Sequence, residues 1–336
     1  MSKRKISFKK IIAAMTAAAS LFCFTACGSD SSSGNSNGGK SSGKKIVCTI
    51  FPEYDWVKQI TSGCEGGPEI SCLLENGTDL HSYQPTADDL MKISSCDMLI
   101  YVGGESDTWV TDALKNASNK NMKVISLLDV IGEDAKEEEV KEGMQAEDEH
   151  EHDEDEEEPE YDEHVWLSLR NAKKICTKLT DELCAMDPDR AENYKSGYTA
   201  YAEKLDALDG DYKTLISQAS SKTLIFGDRF PFRYFVDDYG LDYYAAFVGC
   251  SAETEASFKT VTYLAEKVKN LKPKAVYTIE SSDGKIAGSI LESSGYKDCK
   301  ICVLNSLQSV TKAQIDAGES YLDIMRKNYE VLKENL

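Results

Sequence analysis

The four histidines of this 336-residue chain are its best candidates for binding a metal ion. His150 and His152 stand in a strongly acidic tract, and His164 follows that tract in the sequence Asp-Glu-His-Val-Trp-Leu, where apolar residues resume. The fourth, His81, stands in Gly-Thr-Asp-Leu-His-Ser-Tyr-Gln-Pro. Imidazole and carboxylate groups are common ligands of divalent transition metals. The histidines and their acidic surroundings therefore indicate metal binding.

The acidic tract from Glu133 to Glu163 is too highly charged to pack as core. It has 19 acidic residues against two lysines and carries most of the net charge of −20. A solvated tract of this composition can collect divalent cations weakly. The alternative is that it serves only as a solubilising segment. Because the tract would repel phosphates and no basic face is visible elsewhere, no nucleic-acid partner is expected.

The first 44 residues predict export and attachment to a membrane. A basic start precedes an uncharged, largely apolar run that is too short for a permanent span, so we predict that residues 1–26 are a signal peptide. Phe-Thr-Ala-Cys, ending at Cys27, resembles a bacterial lipoprotein cleavage site and predicts lipidation of Cys27. The alternative is an ordinary secretory signal. Residues 27–44, rich in Ser and Gly, read as a flexible tether. The protein is expected outside the cytoplasm, lipid-anchored to the cell membrane.

The elements that must position the histidines alternate between strands and helices. Short apolar runs typical of buried parallel strands occur in both halves of the chain, with helical patterns between them. The predicted strands are 45–51, 70–74, 98–102 and 124–128 in the first half, and 223–226, 243–247, 275–279 and 300–304 in the second. Strand–helix alternation of this kind indicates an α/β fold with parallel sheets.

Two α/β lobes joined by a long rigid helix are therefore predicted. Residues 168–217 have an amphipathic helical pattern, interrupted once at Asp187-Pro188. We expect an N-terminal lobe over 45–170 that includes the insert 133–163, a linking helical segment over 171–217 and a C-terminal lobe over 218–336.

The cysteines give no complete disulfide framework. Once the signal peptide is removed and Cys27 is assigned to the anchor, nine cysteines remain, an odd number. The pairs that the sequence leaves open are Cys250 with Cys299 or Cys302, and Cys64 with Cys72.

The joint pattern resembles the substrate-binding proteins of bacterial zinc and manganese ABC transporters. It consists of Gly-x-x-x-His-x-Tyr-x-Pro, a His- and acid-rich insert, and Asp-x-His-x-Trp-Leu. The resemblance extends over essentially the mature chain, including Phe51-Pro52, Tyr-Val-Gly-Gly-Glu from Tyr101 and Tyr-Phe-Val-Asp-Asp-Tyr-Gly-Leu from Tyr234. It implies two Rossmann-like lobes with a metal in the cleft, and it implies that His81 and His164 are the ligands from the N-terminal lobe.

The C-terminal lobe departs from the family pattern at both of its expected ligands. Zinc members have His, and manganese members Glu, at the position of Arg229, whose guanidinium cannot ligate a metal because it is never deprotonated. The final family ligand, an Asp, corresponds to Asn305, a weaker neutral donor. Asp228 and Glu280 are the nearby substitute ligands. The alternative is that Arg229 pairs with one of these two carboxylates across the cleft.

The resemblance implies a receptor that captures a divalent metal, zinc before manganese, and delivers it to an ABC permease. The chain is expected to be a monomer and not an enzyme, and it has no His-Glu-x-x-His motif. Three alternatives remain: a manganese receptor of the same fold, a zinc-dependent hydrolase, and a surface metal buffer or cell-adhesion protein that never meets a permease.

Overall fold

Each half of the chain forms a four-stranded parallel sheet in a computed structural model, which describes residues 42–145, 160–251 and 255–336. The first sheet has the order β2-β1-β3-β4 and consists of β1 (Lys45–Cys48), β2 (Glu69–Cys72), β3 (Met98–Tyr101) and β4 (Lys123–Ser126). The second has the order β6-β5-β7-β8 and consists of β5 (Thr223–Phe230), β6 (Asp242–Val248), β7 (Ala275–Thr278) and β8 (Lys300–Val303). The predicted α/β fold with two parallel sheets is confirmed.

Helices follow the strands in both halves. Those of the first half are α1 (Phe51–Ile60), α2 (Ala87–Ser95), α3 (Trp109–Lys115) and α4 (Leu127–Ile131). Along the chain, the strands of the two sheets are separated by α5 (Leu169–Met186) and α6 (Ala191–Gln218). Those of the second half are α7 (Arg233–Tyr239), α8 (Phe258–Leu271), α9 (Lys285–Ser294), α10 (Lys312–Asp316) and α11 (Tyr321–Asn335).

Helix α6 connects the two halves. Helix α5 ends at Met186, one residue before the predicted break at Asp187-Pro188, because a proline cannot continue the helical hydrogen bonding. The 28 residues of α6 extend about 42 Å at 1.5 Å per residue. Helix α6 packs against α1 and α5 on the N-terminal side and against α7 and α11 on the C-terminal side. Its buried stripe, the core face that joins these elements, comprises Tyr194, Tyr201, Leu205, Leu208 and Tyr212.

The structure differs from the sequence prediction at several element boundaries. The strand predicted over 45–51 ends at Cys48, and α1 begins at Phe51. The strand predicted over 124–128 ends at Ser126, whose side chain accepts a hydrogen bond from Asp129 N and so caps α4. Strand β5 continues past the predicted end at Phe226 to Phe230, with a shift of its register against β6 between Phe226 and Arg229.

Several sequence predictions fall where the structure gives limited information. The signal peptide, Cys27, most of the tether, His150 and His152 lie outside the described residues. The nine cysteines of the described part are all free thiols, so neither of the pairings left open is formed there. Among the described residues, no helix combines the length and apolar character needed to cross a membrane. The proposed lobe boundaries stay predictions, although one sheet lies within 45–170 and the other within 218–336.

Candidate metal centre

Two loops of the N-terminal lobe position the predicted histidine ligands. His81 lies in a single 3-10 turn that follows β2, and Asp79 caps this turn by accepting a hydrogen bond from His81 N at 3.0 Å. His164 directly precedes another 3-10 turn that leads into α5, and its backbone N donates to Asp162 Oδ1 at 2.8 Å. The side chain of His164 is fully buried and that of His81 is 6% exposed. Both imidazoles are therefore shielded from solvent and held by local hydrogen bonds.

The two imidazoles face each other through their Nε2 atoms. The Nε2 atoms of His81 and His164 are 3.1 Å apart, close to the roughly 3.3 Å that separates two nitrogens on a tetrahedral zinc ion. His164 Nδ1 lies 3.0 Å from Asp162 Oδ1, and His81 Nδ1 lies 2.7 Å from Ser106 Oγ. When each Nδ1 donates to its partner, each Nε2 has a free lone pair, which is the tautomer that ligates a metal. The pair fits a divalent transition metal.

The two histidines differ in their affinity for protons. Burial, the neighbouring His164 and the Arg229 guanidinium lower the pKa of His81 to about 3, although Asp79 opposes this shift. His81 is therefore neutral near pH 7. Burial also lowers the pKa of His164, but Asp162, Glu163 and the more distant Glu138 raise it by more, so the net shift is upward. The surroundings of His81 therefore favour its neutral, ligating form, whereas the carboxylates around His164 favour the protonated form, with which a metal ion competes.

A third potential ligand, Cys250, joins the two histidines. Within the described ranges, one group of at least three potential ligand residues brings its ligating atoms within 4.8 Å of one another, and it consists of His81, His164 and Cys250. Cys250 follows β6, and its backbone N donates to Glu138 Oε1 at 3.0 Å. The intervening Gly249 lies so close to His164 that a Cβ there would be 2.9 Å from its Cε1. The sequence analysis had treated Cys250 only as a disulfide candidate.

The other two predicted ligands, Glu280 and Asp228, are not brought into this group. The Glu280 carboxylate follows β7 and accepts hydrogen bonds from the backbone N atoms of residues 306, 308 and 309 and from the Ser306 hydroxyl. Asp228 accepts from Arg229 N at 2.8 Å and from Ile279 N at 3.4 Å. In this conformation both carboxylates organise backbone at the ends of the second sheet, and their role as metal ligands stays a prediction.

Arg229 forms an ion pair across the cleft, but with a different partner from those predicted. Its guanidinium lies 2.6 Å from Asp79 Oδ2 and also donates to the Ser251 carbonyl oxygen at 3.3 Å. Both charged side chains are about 15% exposed. Burial raises the pKa of Asp79, but Arg229 and His81 lower it by more. The prediction that Arg229 pairs with Glu280 or Asp228 is wrong, because the loop that carries His81 places Asp79 closer to the guanidinium.

Gln308 is a further residue of the centre that the sequence analysis missed. The predicted weak donor, Asn305, instead accepts a hydrogen bond from Leu307 N and thereby orders the loop after β8. With its amide oriented to satisfy its neighbours, the buried Gln308 donates to both carboxylate oxygens of Asp79, and its oxygen accepts a hydrogen bond from His164 Nε2 at 2.7 Å. Its only signal in the sequence was its position three residues after Asn305.

An acidic cavity of about 240 Å³ opens beside His81 and Cys250. Its other lining residues are Glu105, Ser106, Glu138, Glu160, Tyr161 and Glu163. Glu163 Oε2 is buried without a hydrogen-bond partner and lies 3.7 Å from His81 Nδ1. Glu138, Glu160, Tyr161 and Glu163 belong to the insert 133–163, so described residues of the insert line the cavity. A larger groove, of about 700 Å³, lies between β4 and α5 and contains neither histidine.

Comparisons with known proteins agree with this geometry. The model of the family described as zinc-uptake complex component A, periplasmic, matches residues 46–335. The zinc-binding protein AdcA of Streptococcus pyogenes serotype M3 is 32% identical over 295 residues, which are 86% of this chain and 55% of that protein. The chain thus spans about half the length of this curated relative.

Two further relatives match over nearly their whole length. The high-affinity zinc uptake system protein ZnuA of Bacillus subtilis strain 168 is 31% identical over 332 residues, 98% of each chain. The crystal structure of the Zn(II)-bound ZnuA-like domain of Streptococcus pneumoniae AdcA superposes with a TM-score of 0.66 at 31% identity, covering 88% of this chain and 98% of that one.

Proposed function

The chain belongs to the family of zinc-uptake complex component A proteins, and on that premise we propose that it is an extracytoplasmic receptor that captures a zinc ion and delivers it to an ABC permease. The observation that carries the proposal is the pair of buried imidazoles with Nε2 atoms 3.1 Å apart. Each ring is oriented by a hydrogen-bond partner at Nδ1, as ligands of transition metals commonly are.

Zinc fits the donor set better than manganese does. The close group offers two imidazoles and a thiol, which suit Zn²⁺, whereas Mn²⁺ prefers carboxylate and carbonyl oxygens. The carboxylates of Glu280 and Asp228, which would favour manganese, are engaged with backbone N–H groups. The names of the relatives point to zinc in the same way.

The arrangement of the centre supports capture and release of a metal ion. His81 and His164 come from the N-terminal lobe, whereas Cys250, Arg229 and Gln308 come from the C-terminal lobe, so separation of the lobes would dismantle the centre. The acidic cavity would attract cations toward His81, and the insert with His150 and His152 would raise their local concentration. A lipid on Cys27 would keep the receptor near its permease.

The hydrolase alternative has less support than the receptor. A zinc hydrolase needs an open coordination position where water and substrate meet. Here both imidazoles are almost fully buried, and Gln308 lies 2.7 Å from the ligating nitrogen of His164. The non-catalytic family also favours binding without turnover. A buffer or adhesion role would leave metal-limited growth unchanged when the permease genes are deleted, whereas a permease receptor predicts that growth fails.

Calorimetric titration of the full chain with Zn²⁺ and with Mn²⁺ tests the proposal. The titrated chain carries His150→Asn and His152→Asn, so that the insert contributes no imidazole. We expect tight 1:1 zinc binding, weaker manganese binding, and loss of the tight zinc phase on His81→Ala. The same background without the His81 change is the matched control. Absence of saturable zinc binding, or an unchanged affinity in His81→Ala, would refute the proposed cleft receptor.

A further inference from the structure

We infer that Cys250 is the metal ligand supplied by the C-terminal lobe, so that two imidazoles and one thiolate hold the zinc ion. This inference rests on the proposed function and assigns the donor that neither Arg229 nor Asn305 can provide. Its basis is that Cys250 Sγ, one ring nitrogen of His81 and one ring nitrogen of His164 all lie within 4.8 Å of one another.

The distances require only a small contraction around the ion. With zinc–nitrogen bonds near 2.05 Å and a zinc–sulfur bond near 2.3 Å, tetrahedral geometry places sulfur about 3.6 Å from each nitrogen. The two nitrogens are already 3.1 Å apart. Cys250 Sγ lies at most 4.8 Å from one ring nitrogen of each histidine, which is about 1.2 Å beyond this ligating separation. Side-chain rotation or a slight approach of the lobes can supply that movement.

The loop that carries Cys250 is fixed on both sides of the thiol. Cys250 N donates to Glu138 Oε1 at 3.0 Å, and the carbonyl oxygen of Ser251 accepts from the Arg229 guanidinium at 3.3 Å. Arg229 in turn pairs with Asp79, which caps the turn of His81. Arg229 therefore acts as a positioning residue that connects the Cys250 loop to the His81 loop, even though it cannot ligate a metal.

The charges around the thiol favour a dication. The carboxylates of Asp162, Glu138 and Glu163 lie close enough to the Cys250 thiol to interact with it electrostatically. The buried Glu163 Oε2 also has no hydrogen-bond partner. A thiolate alone would add negative charge to this cluster, whereas a thiolate bound to Zn²⁺ adds a net positive charge. On binding, the Cys250 S–H bond breaks, a sulfur–zinc bond forms, and the proton leaves to solvent through the adjoining cavity.

Titration of the full chain with Co²⁺ tests this assignment directly. A cobalt–thiolate bond gives an intense near-ultraviolet charge-transfer absorption that imidazole and oxygen ligands do not give. We expect this absorption in the unmodified chain, its loss in Cys250→Ser and Cys250→Ala, and its retention in the matched control Cys302→Ser. Zinc affinity should fall by at least about 100-fold in Cys250→Ser, more than the 10–100-fold typical of losing a partner behind a ligand.

The outcomes separate this assignment from the receptor function. If the unmodified chain binds zinc 1:1 through His81 but shows no thiolate absorption with cobalt, the thiolate assignment fails and the receptor stands. Persistence of the absorption in Cys250→Ser would also overturn the assignment of Cys250, because another cysteine would then be the ligand. If the unmodified chain binds no zinc, the receptor function itself fails. The spectrum of the unmodified chain tests the assignment even if the Cys250 variants fail to fold. As a further check, Cys250→His should recover zinc affinity without showing the thiolate absorption.

Discussion

Gly249 leaves too little room beside His164 for any side chain, and we expect Gly249→Ala to impair metal binding. A Cβ at this position would lie 2.9 Å from His164 Cε1, 3.0 Å from its Nδ1 and 3.0 Å from the Phe230 carbonyl oxygen. Since carbon–carbon contacts become favourable at about 3.5 Å, the ring must move by roughly 0.6 Å. The side chain of His164 is fully buried.

This displacement acts on both sides of the His164 ring. It strains the 3.0 Å contact of Nδ1 with Asp162 and the 3.1 Å spacing of Nε2 from His81 Nε2. We expect zinc affinity to fall about 10–100-fold, as when the partner behind a ligating imidazole is lost. Overpacking should also lower the free energy of unfolding by about 1–3 kcal/mol.

The assay is zinc titration in competition with a chromophoric chelator, combined with urea unfolding. Gly288→Ala is the matched control, because Gly288 lies inside α9 with no atom within 4 Å of its would-be Cβ. The control should bind zinc normally and gain up to about 1 kcal/mol of stability from the better helix propensity of alanine. Normal zinc affinity in Gly249→Ala would refute the placement of His164 as a tightly packed ligand.

Three further predictions concern groups around the centre and in the core. Asp162→Asn should weaken zinc binding about 10–100-fold at unchanged 1:1 stoichiometry, measured by the same chelator competition, because the amide orients His164 less firmly; an unchanged affinity would contradict that role. Arg229→Ala should cost about 3 kcal/mol in urea unfolding by removing the cation that pairs with the Asp79 carboxylate, and adding Asp79→Asn should recover part of that loss; simple additivity would show that the two residues are not coupled. Burial and nearby Asp107 raise the pKa of Glu53 from 4.5 to about 8, so its contribution to stability is full below pH 4.5 and is lost as the pH rises through 8. Urea unfolding at pH 5 and pH 8 should therefore show a smaller loss of stability in Glu53→Gln than in the unmodified chain, and an equal loss in both would exclude Glu53 as the cause.

Local patterns in the sequence were sufficient to predict the two parallel sheets and the two histidines of the candidate metal centre. Apolar runs bounded by turns predicted the strands of both sheets, because a strand buried on both faces must be apolar along its length. Asp187-Pro188 predicted the interruption between α5 and α6, because proline cannot continue a helix. His81 and His164 could be predicted as ligands because each stands within a short motif of the family pattern. These features depend on neighbours within about ten residues along the chain, so they can be predicted from the sequence alone.

The tertiary structure alone decided which C-terminal residues meet the histidines. Cys250 is 86 residues beyond His164, and no local pattern distinguishes it from the other free cysteines. Asp79 and its partner Arg229 are 150 residues apart in the sequence, and the position of Gln308 depends on the loop after β8. Such contacts arise where loops from two separate sheets converge. The physical reason is that ligation and ion pairing require positions correct to within about 1 Å, and packing of distant elements sets those positions.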